Sequence, residues 1–181
     1  ALAKKKMTSK FFASWIILML RMAPPVGFVI PLFLIYLNIG LLDTRIGLTA
    51  AYMVLTLPFV VWSSWTSMSQ IPDALIDAAL VDGASVFEAL WQVVIPAALP
   101  GVVAAAVLAF LMAWNDFFFA LVITRSDTVT APVAIMNFVS YESVDWGSIA
   151  LVAVVLTLPT LPITIFANKY IVQSLGGAVK G

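Results

Sequence analysis

Four long apolar blocks constrain this sequence more than any other feature. They run over about residues 11–37, 48–65, 101–124 and 149–171. A helix needs about 20 apolar residues to cross the hydrocarbon core of a bilayer, and lipid offers no water to exposed backbone groups. Of the 181 residues 63% are hydrophobic and only 10% are charged, too few charges to cover a soluble domain. The sequence therefore predicts an all-α, polytopic membrane helix bundle in which residues 1–181 form one transmembrane domain with four spans.

Prolines lie within or beside all four blocks. In the first block Arg21 precedes the pair Pro24–Pro25, and division there would leave two pieces too short to cross a bilayer. One long helix is predicted instead, kinked because proline lacks an N–H group. The third block is expected to begin just after Pro100, a residue suited to the first turn of a helix. The prolines inside the second and fourth blocks are either hinges or kinks without a gating role. They are Pro58, Pro159 and Pro162.

The basic residues in the loops and near the ends of the spans indicate how the chain is oriented. Six lie on one side of the predicted membrane and two on the other. The positive-inside rule therefore places both chain ends and residues 71–96 in the cytoplasm. The six are Lys4, Lys5, Lys6, Lys10, Lys169 and Lys180, and the two are Arg45 and Arg125.

One loop on the predicted outer side is long. It runs from Arg125 to Ser148 and contains Tyr141 and Trp146, and we call it the outer loop. A connection of this length is expected to form its own structure and to meet an external partner.

We call residues 71–96 the elbow, because local signals there predict two short helices joined at a fixed corner. Gly83 stands where a first helix is expected to end in a left-handed turn. Ser85 and Glu88 form the S-x-x-E pattern of a capping box, which predicts the start of a second helix. The two helices are expected to cover about residues 72–96 and to stop before the third span.

The charge of the elbow is unusual for a cytoplasmic membrane loop. It carries Asp73, Asp77, Asp82 and Glu88 but no Lys or Arg. Helices that lie on a bilayer surface are usually basic, because they meet anionic lipid. The acidic composition therefore disfavours a lipid-surface role and favours the docking of another protein.

The elbow sequence "DAALVDGASVFEALWQVVIP" resembles the cytoplasmic signature of permease subunits in ATP-binding-cassette (ABC) importers. The pattern stands here as Asp77-Ala78-Ala79, then Gly83, then Val93-x-Ile95-Pro96. Further motifs, in the same order, are similar to those of the carbohydrate-uptake, maltose-type branch of these permeases. They are "RMAPP" at 21–25, "GLLDT" at 40–44, "AWNDF" at 113–117, "TAPVAI" at 130–135 and "GGAVKG" at 176–181.

The resemblance implies a type I ABC importer permease, a fold with six spans. Four spans are recognised here, so the first two are expected to be missing and the chain to be a fragment. The resemblance also implies two partner ATPase subunits that bind ATP and Mg, a second permease subunit and an external solute-binding protein. These would assemble in the cytoplasmic (inner) membrane of a bacterium or archaeon, and the chain itself is expected to bind no cofactor and no metal.

The resemblance further assigns the elbow to a cleft of one ATPase, where it would move as a rigid lever between inward-open and outward-open states. A short helix with fixed caps transmits force, whereas a slack loop absorbs it. The residues expected to take part in this coupling are Asp77, Ala78, Ala79, Asp82, Gly83, Ser85, Glu88, Ile95 and Pro96.

Charged groups within spans are candidates for a solute pathway, since each is unfavourable in lipid. Arg21, Asn115 and Asp116 meet this criterion and would offer hydrogen bonds to a polyhydroxylated solute. The structural interpretation is equally open: Arg21 reaches the membrane interface and Asp116 caps a broken helix. The aromatic run Trp114, Phe117, Phe118 and Phe119 is more typical of packing than of stacking on sugar rings.

Other classes of protein fit the sequence less well. It contains no His, no Cys, no G-x-S-x-G and no P-loop, so no catalytic or ATP-binding site can be assembled from it. The formal net charge of zero gives no indication of nucleic acid binding. Two alternatives stay open, namely a secondary transporter subunit, for which Asp116 is the one candidate ion-coupling carboxylate, and an ABC permease for a solute other than a sugar.

Overall fold

The computed structural model describes residues 25–141 and 143–176, and the side chains of most of them. Regular structure in these ranges is helical apart from one isolated bridge between Val139 and Val144. This confirms the predicted all-α class. The α-helices are α1 (Pro25–Ile39), α2 (Arg45–Ser69), α3 (Asp73–Val81), α4 (Val86–Ala89), α5 (Ile95–Trp114), α6 (Phe118–Ile123), α7 (Ala131–Ala134) and α8 (Trp146–Gly176). A π-helical turn, Leu90–Val94, joins α4 to α5, and a 3-10 turn, Ile135–Phe138, follows α7.

Three helices in the described part of the chain are long and apolar enough to cross a membrane. They cover Arg45–Ser69, Val86–Trp114 and Trp146–Tyr170, with 25, 29 and 25 residues. A shorter apolar helix covers Gly27–Ile39 and overlaps the C-terminal part of the first predicted span. Residues 11–24 of that span, with Arg21, lie outside the described residues.

The structure differs from the predicted division between the elbow and the third span. The second helix of the elbow continues without a stop from Val86 to Trp114, and Pro100 lies inside it. In a regular α-helix a proline ring clashes with the carbonyl group four residues earlier. The π-helical turn Leu90–Val94 widens the helix just before Pro96, and the helix continues through this proline.

The structure also differs from the prediction at the C-terminal end of the third span. Helix α5 ends at Trp114, and three residues without helical structure precede the short helix α6. The predicted span over 101–124 is therefore broken at Asn115, Asp116 and Phe117.

The chain divides into two compact units, each with its own core. The first contains Pro58–Leu108 and α8 from Ile165 onwards, and the second contains α1, α2 as far as Leu57, and Ala109–Thr164. In the first unit the buried cluster consists of Ile71, Val94 and Ala98. In the second unit it consists of Val29, Tyr36, Ala51, Phe119 and Ile123.

Candidate functional site

The corner of the elbow is closed by two backbone hydrogen bonds at the end of α3. The N–H of Gly83 donates to the carbonyl oxygen of Leu80 at 3.1 Å, and the N–H of Ala84 donates to that of Ala79 at 3.0 Å. This pair of bonds is the Schellman arrangement, which needs a left-handed residue directly after the helix. Gly83 supplies it with a φ of +91°, as the sequence predicts. A Cβ added there would meet no atom within 4 Å, so the backbone conformation, and not lack of space, requires glycine.

The second helix of the elbow begins with the predicted capping box, which the structure confirms. The N–H of Glu88 donates to Ser85 Oγ at 3.2 Å, and the N–H of Ser85 donates to Glu88 Oε2 at 2.7 Å. Two backbone donors that the first helical turn leaves free are thereby satisfied. Only Ala84 separates this cap from the left-handed Gly83, so the direction of the chain at the corner is fixed on both sides.

The elbow is packed against the start of the following span. Ile71, just before α3, is buried in one cluster with Val94 and Ala98. Ile76 of α3 and Leu90 pack against the same cluster. The helix that begins in the elbow at Val86 continues to Trp114, so no break in helical structure separates the elbow from the span.

The opposite surface of the elbow combines acidic and apolar side chains that are exposed. Asp77 and Asp82 are exposed, and neighbouring Val81, Val86 and Phe87 have relative exposures of 86%, 78% and 68%. Large apolar side chains exposed together are typical of a surface that meets another protein. Of the other predicted coupling residues, Ala78 and Pro96 are exposed, and Ala79 and Ile95 are half-buried.

The described pathway candidates lie at the break between α5 and α6, and their side chains have local partners. Asn115 Nδ2 donates to the carbonyl oxygen of Leu111 at 2.8 Å. Asp116 is partly buried, and its Oδ2 accepts the N–H of Ala120 at 3.1 Å. The carboxylate therefore caps the first turn of α6, where the helix dipole favours negative charge. No group of three or more His, Cys, Asp or Glu side chains that could hold a metal ion occurs within the described ranges.

Tyr52 of α2 is a further polar residue near Asp116. Its hydroxyl lies near the Asp116 carboxylate and near Thr130, whose buried hydroxyl has no hydrogen-bond partner among the described residues. Tyr52 and Thr130 were not among the predicted site residues. A tyrosine inside an apolar span is the only signal that the sequence offers for this contact.

A second site that the sequence analysis missed is a carboxylate clamp between two loops. Asp43, in the turn between α1 and α2, accepts the N–H groups of four consecutive residues, Arg125 to Thr128. The distances are 2.9 Å from Arg125 and 3.1 Å from Thr128 to Oδ1, and 3.0 Å from both Ser126 and Asp127 to Oδ2. The Thr128 hydroxyl adds a bond of 2.7 Å to Oδ1. These donors, above all the N–H groups of Asp127 and Arg125, hold the pKa of the Asp43 carboxyl well below its usual range.

The clamp is reinforced by two further groups. The N–H of Asp43 donates to the carbonyl oxygen of Ile123, the last residue of α6, at 3.0 Å. The guanidinium of Arg125 donates to the carbonyl oxygens of Val122 and Thr124 and lies 5.8 Å from the centroid of the Phe33 ring. The C-terminal end of α6 is therefore satisfied by the turn between α1 and α2 and by the first residue of the outer loop.

The far end of the outer loop is also fixed by a carboxylate. Asp145 accepts the N–H of Ser148 at 3.1 Å and its hydroxyl at 2.6 Å, at the start of α8. These bonds lower the pKa of the Asp145 carboxyl, and the bond from the Ser148 hydroxyl has a larger effect than the bond from the Ser148 N–H. Tyr141, before Asp145, is fully exposed, and Trp146, directly after Asp145, is 74% exposed.

The fold and these sites define a helical, multi-pass membrane protein with a fixed elbow at the start of one span. A family model for the inner membrane component of binding-protein-dependent transport systems matches residues 1–176. The chain therefore belongs to this family, which confirms the resemblance found in the elbow motif and identifies a transport component.

Individual relatives agree with this membership. A trehalose transport system permease protein of Mycobacterium tuberculosis is 40% identical over 168 residues, covering 91% of this chain and 61% of the relative. A trehalose/maltose transport system permease protein of Thermococcus litoralis is 35% identical over 169 residues, covering 91% and 60%. A diacetylchitobiose uptake system permease protein of Streptomyces coelicolor is 28% identical over 163 residues, covering 89% and 59%. The chain spans about three-fifths of the length of these relatives.

Proposed function

We propose that this chain is part of the membrane-spanning permease subunit of an ATP-driven importer of sugars or related polyols. Family membership supports the transport role, and the names of the relatives, which mention trehalose, maltose and diacetylchitobiose, support the solute class. The observation that carries the coupling role is the continuous helix from the elbow into a membrane-length span. A push on the elbow is thereby transmitted to the span without a flexible joint.

The partners proposed for this assembly are two ATPase subunits carrying ATP and Mg, a second permease subunit and an external solute-binding protein. The elbow docks into one ATPase, and closure of the ATPases on ATP moves the elbow and its span together. Alternating access of the pathway follows from that movement.

The exposed face of the elbow contributes to docking in two ways. Asp77 and Asp82 pair with basic groups of the ATPase, and each such contact at a wet interface is worth about 1 kcal/mol or less. Burial of Val86 and Phe87, both largely exposed in this chain, contributes more because the hydrophobic effect scales with apolar area. Packing therefore carries most of the coupling.

The pathway residues stay proposals. Asn115 and Asp116 shape the pathway through the break between α5 and α6, which the Asp116 carboxylate caps. Arg21, which lies outside the described residues, is a third proposed pathway residue. The assembly lies in the cytoplasmic membrane of a bacterium or archaeon, with both ends of the chain and the elbow in the cytoplasm and the outer loop outside.

Co-purification tests the docking of the ATPase. The transporter is extracted with affinity-tagged permease, and the ATPase that accompanies it is quantified for wild type, Phe87→Asp and Tyr141→Asp. Each variant places a charge at an exposed aromatic position, one on the elbow and one on the outer loop. We expect Phe87→Asp to lose the ATPase and Tyr141→Asp to retain it. Docking at the elbow would be contradicted if Phe87→Asp retained as much ATPase as wild type, or if both variants lost the ATPase equally.

Uptake by reconstituted vesicles tests the energy source and the solute. The complete transporter in proteoliposomes is supplied with binding protein and labelled trehalose. ATP is present or absent on the side of the membrane where the elbow lies. ATP-dependent accumulation is the expected result. Accumulation driven by an ion gradient in the absence of ATP would indicate a secondary transporter instead.

A further inference from the structure

The clamp at Asp43 sets the conformation of the start of the outer loop. Four consecutive backbone N–H groups converge on one carboxylate, which is possible only when residues 125–128 curl around it. Hydrogen bonds to an ionised carboxylate are among the strong ones in proteins. The contacts join residues that are 82 to 85 positions apart in the sequence, so the clamp ties separate parts of the second unit together.

The Asp43 side of the clamp is rigid. Asp43 adopts a left-handed backbone with a φ of +53°, and its own N–H is bonded to the end of α6. The neighbouring Thr44 hydroxyl donates to the carbonyl oxygen of Leu41 and accepts the N–H of Gly47, which fixes the turn to the start of α2. A buried cluster that includes Tyr36 and Ile123 lies in the same unit. The carboxylate is therefore presented from a fixed position.

The outer loop thus begins and ends at a bonded carboxylate, Asp43 at its start and Asp145 at its end. From Val129 to Trp146 the loop exposes large apolar side chains. A loop that is held at both ends and exposes apolar groups is prepared to bind a protein, because little conformational entropy is lost on binding. The exposed side chains are Val129, Met136, Val139, Tyr141, Val144 and Trp146.

We propose that Asp43 is a positioning residue, whose carboxylate holds the outer loop in the conformation that the external solute-binding protein recognises. The inference rests on the proposed function, since it requires an importer that receives its solute from such a protein. Asp43 itself touches neither the binding protein nor the solute. It acts through the backbone of residues 125–128.

Uptake measured against the concentration of loaded binding protein tests the role of Asp43. We expect Asp43→Asn to raise the half-saturating concentration about tenfold and to leave the maximal rate near that of wild type. The amide of asparagine carries no charge, and its NH2 group would face N–H donors. A lower maximal rate with an unchanged half-saturating concentration would overturn the proposal, since that result reports a defect in the transport cycle.

Two further variants make the result specific. Asp127→Asn removes a neighbouring carboxylate, which accepts the Ser126 hydroxyl at 3.3 Å, and keeps every N–H of the clamp. The half-saturating concentration of this variant should therefore stay near that of wild type. Thr128→Val removes only the hydroxyl bond of the clamp and should cause a smaller increase than Asp43→Asn. An equal increase with Asp127→Asn would show that loss of negative charge alone is responsible, which contradicts positioning.

Hydrogen exchange of the assembled transporter tests the clamp without a transport measurement. The amides of residues 125–128 should exchange faster in Asp43→Asn than in wild type, and unchanged protection would overturn the inference even if the variant transports poorly. Uptake by wild type that does not depend on a binding protein would refute the proposed function and the inference together. If uptake by wild type depends on the binding protein and Asp43→Asn behaves as wild type does, the inference alone is refuted.

Discussion

The indole N–H of Trp114 donates to the carbonyl oxygen of Leu156 at 3.1 Å, across 42 positions of sequence. The bond joins the last residue of α5 to α8 within the second unit. The same indole ring stacks on Phe110, with ring centroids 5.6 Å apart and an angle of 25° between the planes. The residue that ends the span thus holds a neighbouring helix, just before the break at Asn115.

Replacement of Trp114 by Phe should destabilise the second unit modestly. Phenylalanine preserves the stacking on Phe110 but cannot donate to Leu156. Hydrogen bonds between helices in a membrane contribute about 0.6 kcal/mol on average. Thermal unfolding in detergent should therefore show a small decrease in Tm for Trp114→Phe and none for Trp146→Phe, which alters a residue that is 74% exposed. An equal decrease in both variants would argue against a role for the bond.

Replacement of Gly83 by Val should abolish uptake and leave membrane insertion intact. The left-handed φ of +91° is unfavourable for residues with a Cβ, by about 1–2 kcal/mol, and more so for a β-branched residue. Valine would therefore redirect the corner of the elbow.

Asparagine is the matched variant at this corner, because it tolerates the left-handed region. Gly83→Asn should retain a substantial part of the uptake that Gly83→Val loses, with equal amounts of both proteins in the membrane. Normal uptake by Gly83→Val would refute the lever role of the elbow.

Replacement of Ser85 by Ala should loosen the start of the second elbow helix. Loss of a serine N-cap costs about 1 kcal/mol, because the N–H of Glu88 then has no side-chain acceptor. Ser85→Thr keeps the acceptor and serves as the control. We expect hydrogen exchange at residues 86–88 to accelerate in Ser85→Ala only, and ATP-driven uptake to decrease in the same variant. Equal exchange in Ser85→Ala and Ser85→Thr would show that the cap does not fix the helix.

The helical class and the corner of the elbow could be predicted from the sequence because both depend on local information. Apolar blocks of membrane length identify spans without reference to the rest of the fold. Gly83 and the pair Ser85–Glu88 define a helix end and a helix start within six residues. The continuation of the helix through Pro96 and Pro100 could not be predicted in this way. Whether a proline ends a membrane helix depends on how its neighbours satisfy the freed carbonyl groups.

The clamp at Asp43 could not be predicted because its partners are distant in the sequence. Four of its six donors are backbone N–H groups, which leave no pattern of residue types. The only signal is an aspartate in a short turn, within the "GLLDT" stretch at 40–44. Asp116 differs, since its cap on α6 is local and was one of two interpretations open from the sequence.

The clamp should make the stability of the second unit depend on pH in the acidic range. Backbone N–H groups hold the pKa of Asp43 below its unfolded value of about 3.9, so the ionised carboxylate stabilises the fold above that pH. The stabilisation is lost as the pH falls below about 4 towards the pKa of the folded state. The difference in Tm between wild type and Asp43→Asn should therefore be constant from about pH 5 to about pH 8 and should narrow below about pH 4. A difference for Asp43→Asn that grows on acidification would contradict the clamp.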